Sequence, residues 1–147
     1  MMRILIDADG CPVVDAAVAL AREYGVPCLI LCDTSHRIER EGAQTLICSK
    51  GADSVDFALV NLLRPGDIAV TQDYGLAALC LARRARALNQ DGLRYTGDNI
   101  DALLLARHTA RKIRAAGGRL RGPGRREARQ DEAFIRALRG LLEEEME

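Results

Sequence analysis

The stretch that decides the fold is ILIDADGCPV, residues 4–13, in which an apolar run ends in two aspartates one residue apart. The apolar residues predict a buried strand, and Pro12 suits the first turn of a following helix. Like charges as close as Asp7 and Asp9 cost free energy unless a positive charge lies near them. The pair therefore indicates a metal ion, a phosphoryl-transfer nucleophile with its acid, or a turn in which Asp9 or Gly10 caps the helix.

Short apolar runs alternate with helical patterns along the chain, which is typical of parallel α/β units. Strands are predicted at 3–6, 26–32, 45–48, 67–73 and 85–88, and helices at 12–24, 52–63, 75–83, 99–116 and 127–147. This order predicts an α/β fold with a central parallel sheet, helices on both faces and a C-terminal helical extension. We expect one domain over residues 1–116. Residues 117–147 are expected to form a basic Gly/Arg linker and a helix packed on the same domain.

Acidic residues cluster where the predicted strands end. Asp7 and Asp9 follow the first strand and Asp73 follows the fourth, and sites in such sheets form beyond the carboxyl ends of the strands. Asp53 and Asp56 are three residues apart, on one face of the second predicted helix. Carboxylates without His or Cys partners are typical of a site for Mg²⁺ or Mn²⁺, which can activate water for phosphodiester cleavage. All five are therefore candidate metal ligands and catalytic residues.

Several other polar residues have simpler interpretations. Asp53 also suits a helix start, where the dipole favours negative charge. Asp67 and Asp33 resemble turn residues and are left out of the predicted site. His36 is expected in a solvated loop, because no metal-ligand spacing joins it to the carboxylates.

Charge is unevenly distributed although the net charge is zero. Residues 1–80 include six basic and eleven acidic residues. Residues 81–139 include fifteen basic and six acidic residues. This division suggests a metal site beside a surface for a polyanion. The candidate nucleic-acid-binding residues are Arg107, His108, Arg111, Arg114, Arg119 and Arg121. Alternatively, the helix arginines form an ordinary solvated stripe and His108 is structural. With 3% aromatic residues, contacts to the nucleic-acid backbone are expected rather than base stacking.

The sequence also bears on location and assembly. No run of about 18 apolar residues is present, so no membrane-spanning helix is expected. The first residues lack the apolar stretch of a signal peptide. We therefore expect a cytoplasmic protein without membrane partners, and leave a homo-oligomer open.

Five segments carry a resemblance to a known family. In chain order they read DADGCPV, GADSVDFALV, DIAVTQDYGLAALCLARRARALN, YTGDNIDALL and RHTARKIRAAGG. Together they resemble the bacterial YaiI/YqxD family, which is functionally uncharacterised, from Arg3 to about Gly122. The domain of that family resembles the PIN-like nuclease superfamily, and VTQDYGLAA is similar to the PIN pattern VTxDxxL. The resemblance implies a PIN-like three-layer domain.

The same resemblance implies a site and an activity. Carried over by position, it assigns Asp7, an acidic residue of the 53–56 pair and Asp73 as metal ligands. It implies a nuclease that depends on Mg²⁺ or Mn²⁺, with RNA favoured as the substrate and structured DNA left open. PIN enzymes usually carry one more acidic residue near the fourth strand, which is missing here. Candidate substitutes are Asp91, Asp98 and Asp101, but nothing in the sequence places them near the end of the fourth strand.

Two rival functions remain open at this point. A non-catalytic nucleic-acid-binding module could keep the fold without the activity. The string DADG after an apolar run also resembles the first motif of the haloacid-dehalogenase superfamily, in which the first Asp is a nucleophile for phosphatase chemistry. Against this, Asp67 precedes the fourth strand and Asp73 follows it, whereas the late acidic motif of that superfamily places both carboxylates after the strand.

Overall fold

The computed structural model describes residues 2–51, 53–119 and 124–146, and six strands within them form one sheet. The strands are β1 (Ile4–Asp7), β2 (Cys28–Asp33), β3 (Gln44–Cys48), β4 (Ile68–Val70), β5 (Arg86–Leu88) and β6 (Arg94–Tyr95). The helices are α1 (Val14–Tyr24), α2 (Ser54–Leu62), α3 (Tyr74–Ala82), α4 (Gly97–Ala115) and α5 (Ala128–Met146). Within these ranges no helix has the length and apolar character to cross a membrane.

The strand order creates a crevice at the centre of the sheet. The order is β3-β2-β1-β4-β5-β6, and every neighbouring pair is parallel except β5 and β6. From β1 the chain moves outward to β3, then returns to the other side of β1 for β4. In open α/β sheets ligands bind where the order reverses, beyond the carboxyl ends of the strands. That position is the end of β1 and β4.

Helices cover both faces of the sheet and bury separate cores. On one face α1 and α5 pack over strand residues such as Ile6 and Ile30, and α5 contributes Phe134 and Leu138 to this core. On the other face α2, α3 and the start of α4 pack over the alternate residues, among them Leu5. Burial of successive strand residues on opposite faces is the period-2 pattern of a sheet covered on both sides. The predicted three-layer α/β architecture is therefore confirmed.

The prediction of a purely parallel sheet is wrong at one edge, where β6 runs antiparallel to β5. A tight turn causes the reversal. The Asn89 side chain accepts hydrogen bonds from the backbone N–H groups of Asp91 and Leu93, and Gly92 within the turn has a φ of 85°. Only glycine adopts such a φ readily, so Asn89 and Gly92 together return the chain along β5.

Helix starts differ from the predicted ones by one to two residues where described residues allow comparison. The helix predicted at 99–116 begins at Gly97, because Thr96 and Asn99 form a capping box. The helix predicted at 12–24 begins at Val14. The helix predicted at 52–63 begins at Ser54, and residue 52 lies outside the described part of the chain. The helix predicted at 127–147 begins at Ala128.

The predicted fourth strand, 67–73, is shortened to Ile68–Val70 by the residues at its two ends. Asp67 is fully buried and accepts hydrogen bonds from the Arg3 backbone, the Arg3 guanidinium and the Arg64 backbone, so its carboxylate holds the turn before the strand. At the other end Asp73 leaves the ladder to cap α3. The two aspartates lie at opposite ends of β4, as the sequence indicated.

Candidate metal centre

The carboxylate of Asp7 ends β1 inside the crevice, where a neighbouring strand holds it. Thr71, the residue after β4, donates its hydroxyl to Asp7 Oδ2 at 2.8 Å. The Tyr95 hydroxyl in turn donates to the Thr71 carbonyl at 3.0 Å. Burial raises the pKa of Asp7, the charges of Asp9 and Asp73 raise it further, and the Thr71 hydrogen bond opposes them. Thr71 is therefore a positioning residue that the sequence analysis did not single out.

Asp73 lies two residues further along and has two contacts. Its Oδ1 atom accepts hydrogen bonds from the backbone N–H groups of Gly75 and Leu76, as an N-cap of α3. The Arg107 guanidinium, on α4, lies 3.6 Å from the same oxygen. The cap fixes the carboxylate at the crevice, and Arg107 partly balances its charge.

Asp56 approaches from α2, and its electrostatics show that it belongs to the same group. Burial, followed by the negative charges of Asp73, Asp7 and Asp53, raises the pKa of Asp56 to about 6. Asp53 itself is exposed at the start of α2, where its φ is 65° and its side chain makes no capping hydrogen bond. We refer to Asp7, Asp56 and Asp73 as the inner cluster, with Asp53 at its margin.

Asp9 does not cap α1, because the N-cap position is Val13 and no side chain bonds there. The Asp9 Oδ1 atom is instead buried without a hydrogen-bond partner, although the side chain as a whole is 31% exposed. A buried carboxylate oxygen without a donor is costly. Its chemistry fits a site that a cation completes.

Asp33 is a turn residue and His36 lies in an exposed loop, as predicted, but the sequence analysis missed that this turn places both beside Asp9. Asp33 ends β2, and its Oδ1 accepts hydrogen bonds from the backbone of Ser35 and His36. This turn brings His36 Nδ1 to 3.1 Å from Asp33 Oδ1 and 3.7 Å from Asp9 Oδ1. Burial acts to raise the pKa of Asp33, but its contacts with His36 and Ser35 lower it overall.

Asp9, Asp33 and His36 form what we call the outer triad. One ligand atom from each residue lies within 4.8 Å of the others, a spacing that could hold a metal ion. The triad and the inner cluster adjoin, since the charge of Asp9 contributes to the raised pKa of Asp7. Carboxylate and imidazole ligands together suit Mn²⁺, whereas carboxylates alone suit Mg²⁺ as well.

A cleft of about 530 Å³ opens at Asp7, Asp9 and Asp73, whereas Asp33, His36 and Asp56 are not among its lining residues. Its lining consists of Asp7, Asp9, Gly10, Gln72, Asp73, Tyr74 and Arg107. Acidic residues thus form the floor and one arginine reaches the edge, so the cleft can bind a cation and an anion next to each other.

Comparison with known proteins shows the family. A family model described as "Uncharacterized BCR, YaiI/YqxD family" matches residues 5–144. The chain belongs to the YaiI/YqxD family. A UPF0178 protein of Exiguobacterium sibiricum is 52% identical over 143 residues, which cover 97% of this chain and 98% of the relative. A UPF0178 protein of Ruminiclostridium cellulolyticum is 46% identical over 146 residues, which cover 99% and 95%.

Among solved structures, the crystal structure of Rae1 (YacP) from Bacillus subtilis aligns over 99% of both chains. Its sequence is 15% identical and the TM-score is 0.41, a distant likeness on which no functional argument rests.

In this member of the YaiI/YqxD family, the basic residues predicted to bind nucleic acid are spread between the cleft and the exposed surface of α4. Arg107 lines the cleft, Arg111 and Arg114 are exposed further along α4, and Arg119 is exposed just beyond it. His108 is also exposed on α4. Arg121 lies outside the described residues.

Arg126, in the segment just before α5, has a structural role. Its guanidinium lies 2.8 Å from both Asp91 and Asp131 and donates to the Gln90 carbonyl. It therefore fastens the start of α5 to the turn before β6. Asp91, one of the candidate substitutes for the additional acidic residue of the PIN pattern, is engaged in this contact.

Proposed function

We propose that this YaiI/YqxD protein is a phosphodiesterase that depends on Mg²⁺ or Mn²⁺ and cleaves RNA. One observation carries the proposal. Asp7 and Asp9 after β1 and Asp73 at the cap of α3 line one cleft at the reversal point of the sheet, with Arg107 beside them. Carboxylates whose pKa values are raised by burial, and further by mutual repulsion, are in a site that gains stability from a cation.

In this proposal, the inner cluster and Asp9 hold the metal, and the outer triad is a second position that shares Asp9. A bound divalent ion supplies a Lewis acid and an activated water for displacement at phosphorus. Thr71 keeps Asp7 in its ligating orientation through the 2.8 Å hydrogen bond. The α3 cap uses Asp73 Oδ1 and leaves Oδ2 available as a ligand.

Arg107 contacts the substrate. Its guanidinium is held at the cleft edge by Asp73 at 3.6 Å, a distance loose enough for it to turn toward a phosphate. Arg111 and Arg114, four and seven residues further along α4, extend the positive surface away from the cleft along one helix face. A phosphate backbone that leaves the cleft along α4 would meet these side chains in succession, without base-specific contacts.

Titration of Mn²⁺ into the metal-free protein tests the metal site. Asp7→Asn removes a ligand at nearly constant volume and is expected to reduce affinity at least tenfold. Asp15→Asn is the matched control, because Asp15 is an exposed aspartate on α1 that pairs with Arg40 away from the cleft residues. No Mn²⁺ binding to the wild type, or equal binding to the Asp7 variant, would refute the metal site.

Cleavage assays with labelled single-stranded and hairpin RNA, with and without Mn²⁺, test the reaction. The wild type should cleave RNA only with the metal, and Asp73→Asn should lose turnover while still binding RNA. Arg107→Ala should weaken RNA binding and reduce its salt dependence by about one phosphate contact. Metal-independent RNA binding without cleavage would support the non-catalytic alternative. Hydrolysis of a phosphomonoester in place of RNA would support the phosphatase alternative.

A further inference from the structure

One face of α4 is apolar and exposed. It consists of Ala102, Leu105, Ala106, Thr109, Ala110 and Ile113, which together line a shallow groove and which we call the α4 stripe. Its two large side chains, Leu105 and Ile113, are 65% and 39% exposed. Leaving apolar groups in water at regular helical spacing costs free energy that burial against a partner would recover.

Among the described residues, Gly118 lies against Ile113 at the end of this face, and the rest of the stripe stays outside the core. The helix packs on α3 and the core beneath it through Ile100, Leu103 and Leu104. At about 100° per residue, the α4 stripe points about 140° away from the centre of that packing side. The stripe is therefore directed outward from the domain.

The α4 stripe is complementary to itself when a second α4 runs antiparallel. With the midpoint between residues 107 and 108, Ile113 lies opposite Ala102 close to the centre line of the stripe, and Ala106 lies opposite Thr109. Ile113 then meets an alanine, and the two residues nearest the midpoint are small enough for close approach of the helices. We propose that the protein forms a symmetric homodimer through antiparallel pairing of the α4 stripes.

Charge complementarity supports a second copy as the occupant. Acidic Asp98 and Asp101 lie in the first half of α4, whereas the second half carries Lys112 and Arg114. Antiparallel pairing sets each acidic half beside a basic half. Asp101 and Lys112 lie on the same flank of the stripe by helical geometry, so each Asp101 meets Lys112 of the second copy. The antiparallel helix dipoles also attract each other.

Dimerisation has a consequence for the cleft, although the dimer does not depend on the proposed activity. Arg107 is next to the midpoint and lies at the cleft. A two-fold axis between the helices keeps both Arg107 side chains on the same side of the pair. The two clefts would then flank the axis and open on a common side.

Sedimentation velocity of the full chain, from a few micromolar to several hundred micromolar, tests the proposal. A contact of this length buries less than about 1,200 Å², so dimerisation should be weak and concentration-dependent. We expect the mass to rise from 16.0 kDa toward twice that value. Ala106→Glu should keep the protein monomeric, because it places charge at the centre of the contact. Ala115→Glu, the same change on the opposite side of α4, should associate like the wild type.

Exchanging the charges of Asp101 and Lys112 distinguishes the proposed alignment of the two α4 helices from any other mode of association. Asp101→Lys and Lys112→Asp should each weaken association by about fivefold, and the double variant should recover it. Both changes oppose the helix dipole, so recovery cannot come from a more stable helix. Circular dichroism confirms that each variant is folded. A wild type of 16.0 kDa at every concentration, a dimer that persists in Ala106→Glu, or a double variant no better than the single ones would overturn the proposal.

Discussion

Replacing Asp56 with Asn should stabilise the metal-free protein at neutral pH and leave it unchanged in acid. In the folded chain, burial and three neighbouring aspartates raise the pKa of Asp56 from 3.8 to about 6. Between these two values the folded state holds a proton that the unfolded state has released. The free energy of unfolding therefore falls as the pH rises through this window. Above about pH 6 the ionised Asp56 destabilises the folded state to its full extent.

The size of the effect follows from the shift and from exposure. A shift of about two pKa units corresponds to roughly 3 kcal/mol if the whole difference is realised. Asp56 is only partly buried, so solvent screening reduces this to about 1 kcal/mol. For a domain of this size, that difference raises the melting temperature by about 2–4 °C.

Thermal unfolding of the wild type and Asp56→Asn in EDTA, at pH values from about 3.5 to 7.5, measures this difference. The two melting temperatures should coincide at the acid end and separate as the pH rises. Saturating Mn²⁺ should then reverse the order at pH 7, because the wild type keeps a ligand that the variant lacks. A separation that does not change with pH, or a variant less stable than the wild type at pH 7 in EDTA, would refute this account of the inner cluster.

Two further predictions concern Asp67, in the turn before β4, and His36 of the outer triad. Asp67→Ala should cost about 3 kcal/mol in chemical denaturation, because it leaves the Arg3 guanidinium largely buried without its partner. Asp15→Ala, which removes an exposed ion pair, should cost less than about 1 kcal/mol, and equal losses would contradict the argument. His36→Ala should weaken Mn²⁺ binding about tenfold and Mg²⁺ binding less, as measured by calorimetry, because imidazole is a poorer ligand for Mg²⁺. Identical losses for the two ions would exclude His36 from the outer triad.

The sheet and the inner cluster could be predicted because they follow from local patterns and one topological rule. The apolar runs indicated β1 and β4, and Asp7 and Asp73 follow those runs directly. Carboxyl ends of parallel strands lie along one edge of the sheet. The two carboxylates therefore had to be neighbours once both strands were placed in the centre.

The outer triad could not be predicted in the same way. Asp33 ends β2, so it too lies at the carboxyl end of a parallel strand. An aspartate at such a position is also typical of an ordinary turn, in which its side chain accepts backbone hydrogen bonds. The contact with His36 depends on the turn geometry and on Asp9 in the turn after β1. Arg126 illustrates the same limit, since its partner Asp91 is 35 residues away and no local pattern links the two.

The position of α5 determines the order in which the chain can complete its two cores during synthesis. The core that contains Leu5 closes with residues up to Ile100. The opposite face of the sheet needs Phe134 and Leu138, both fully buried on α5. While the ribosome is still making the segment before α5, α1 and this side of the sheet expose apolar surface. A nascent chain stalled there is therefore a substrate for chaperones and prone to association, whereas the edge of the sheet that carries Asp7 and Asp73 can already be assembled.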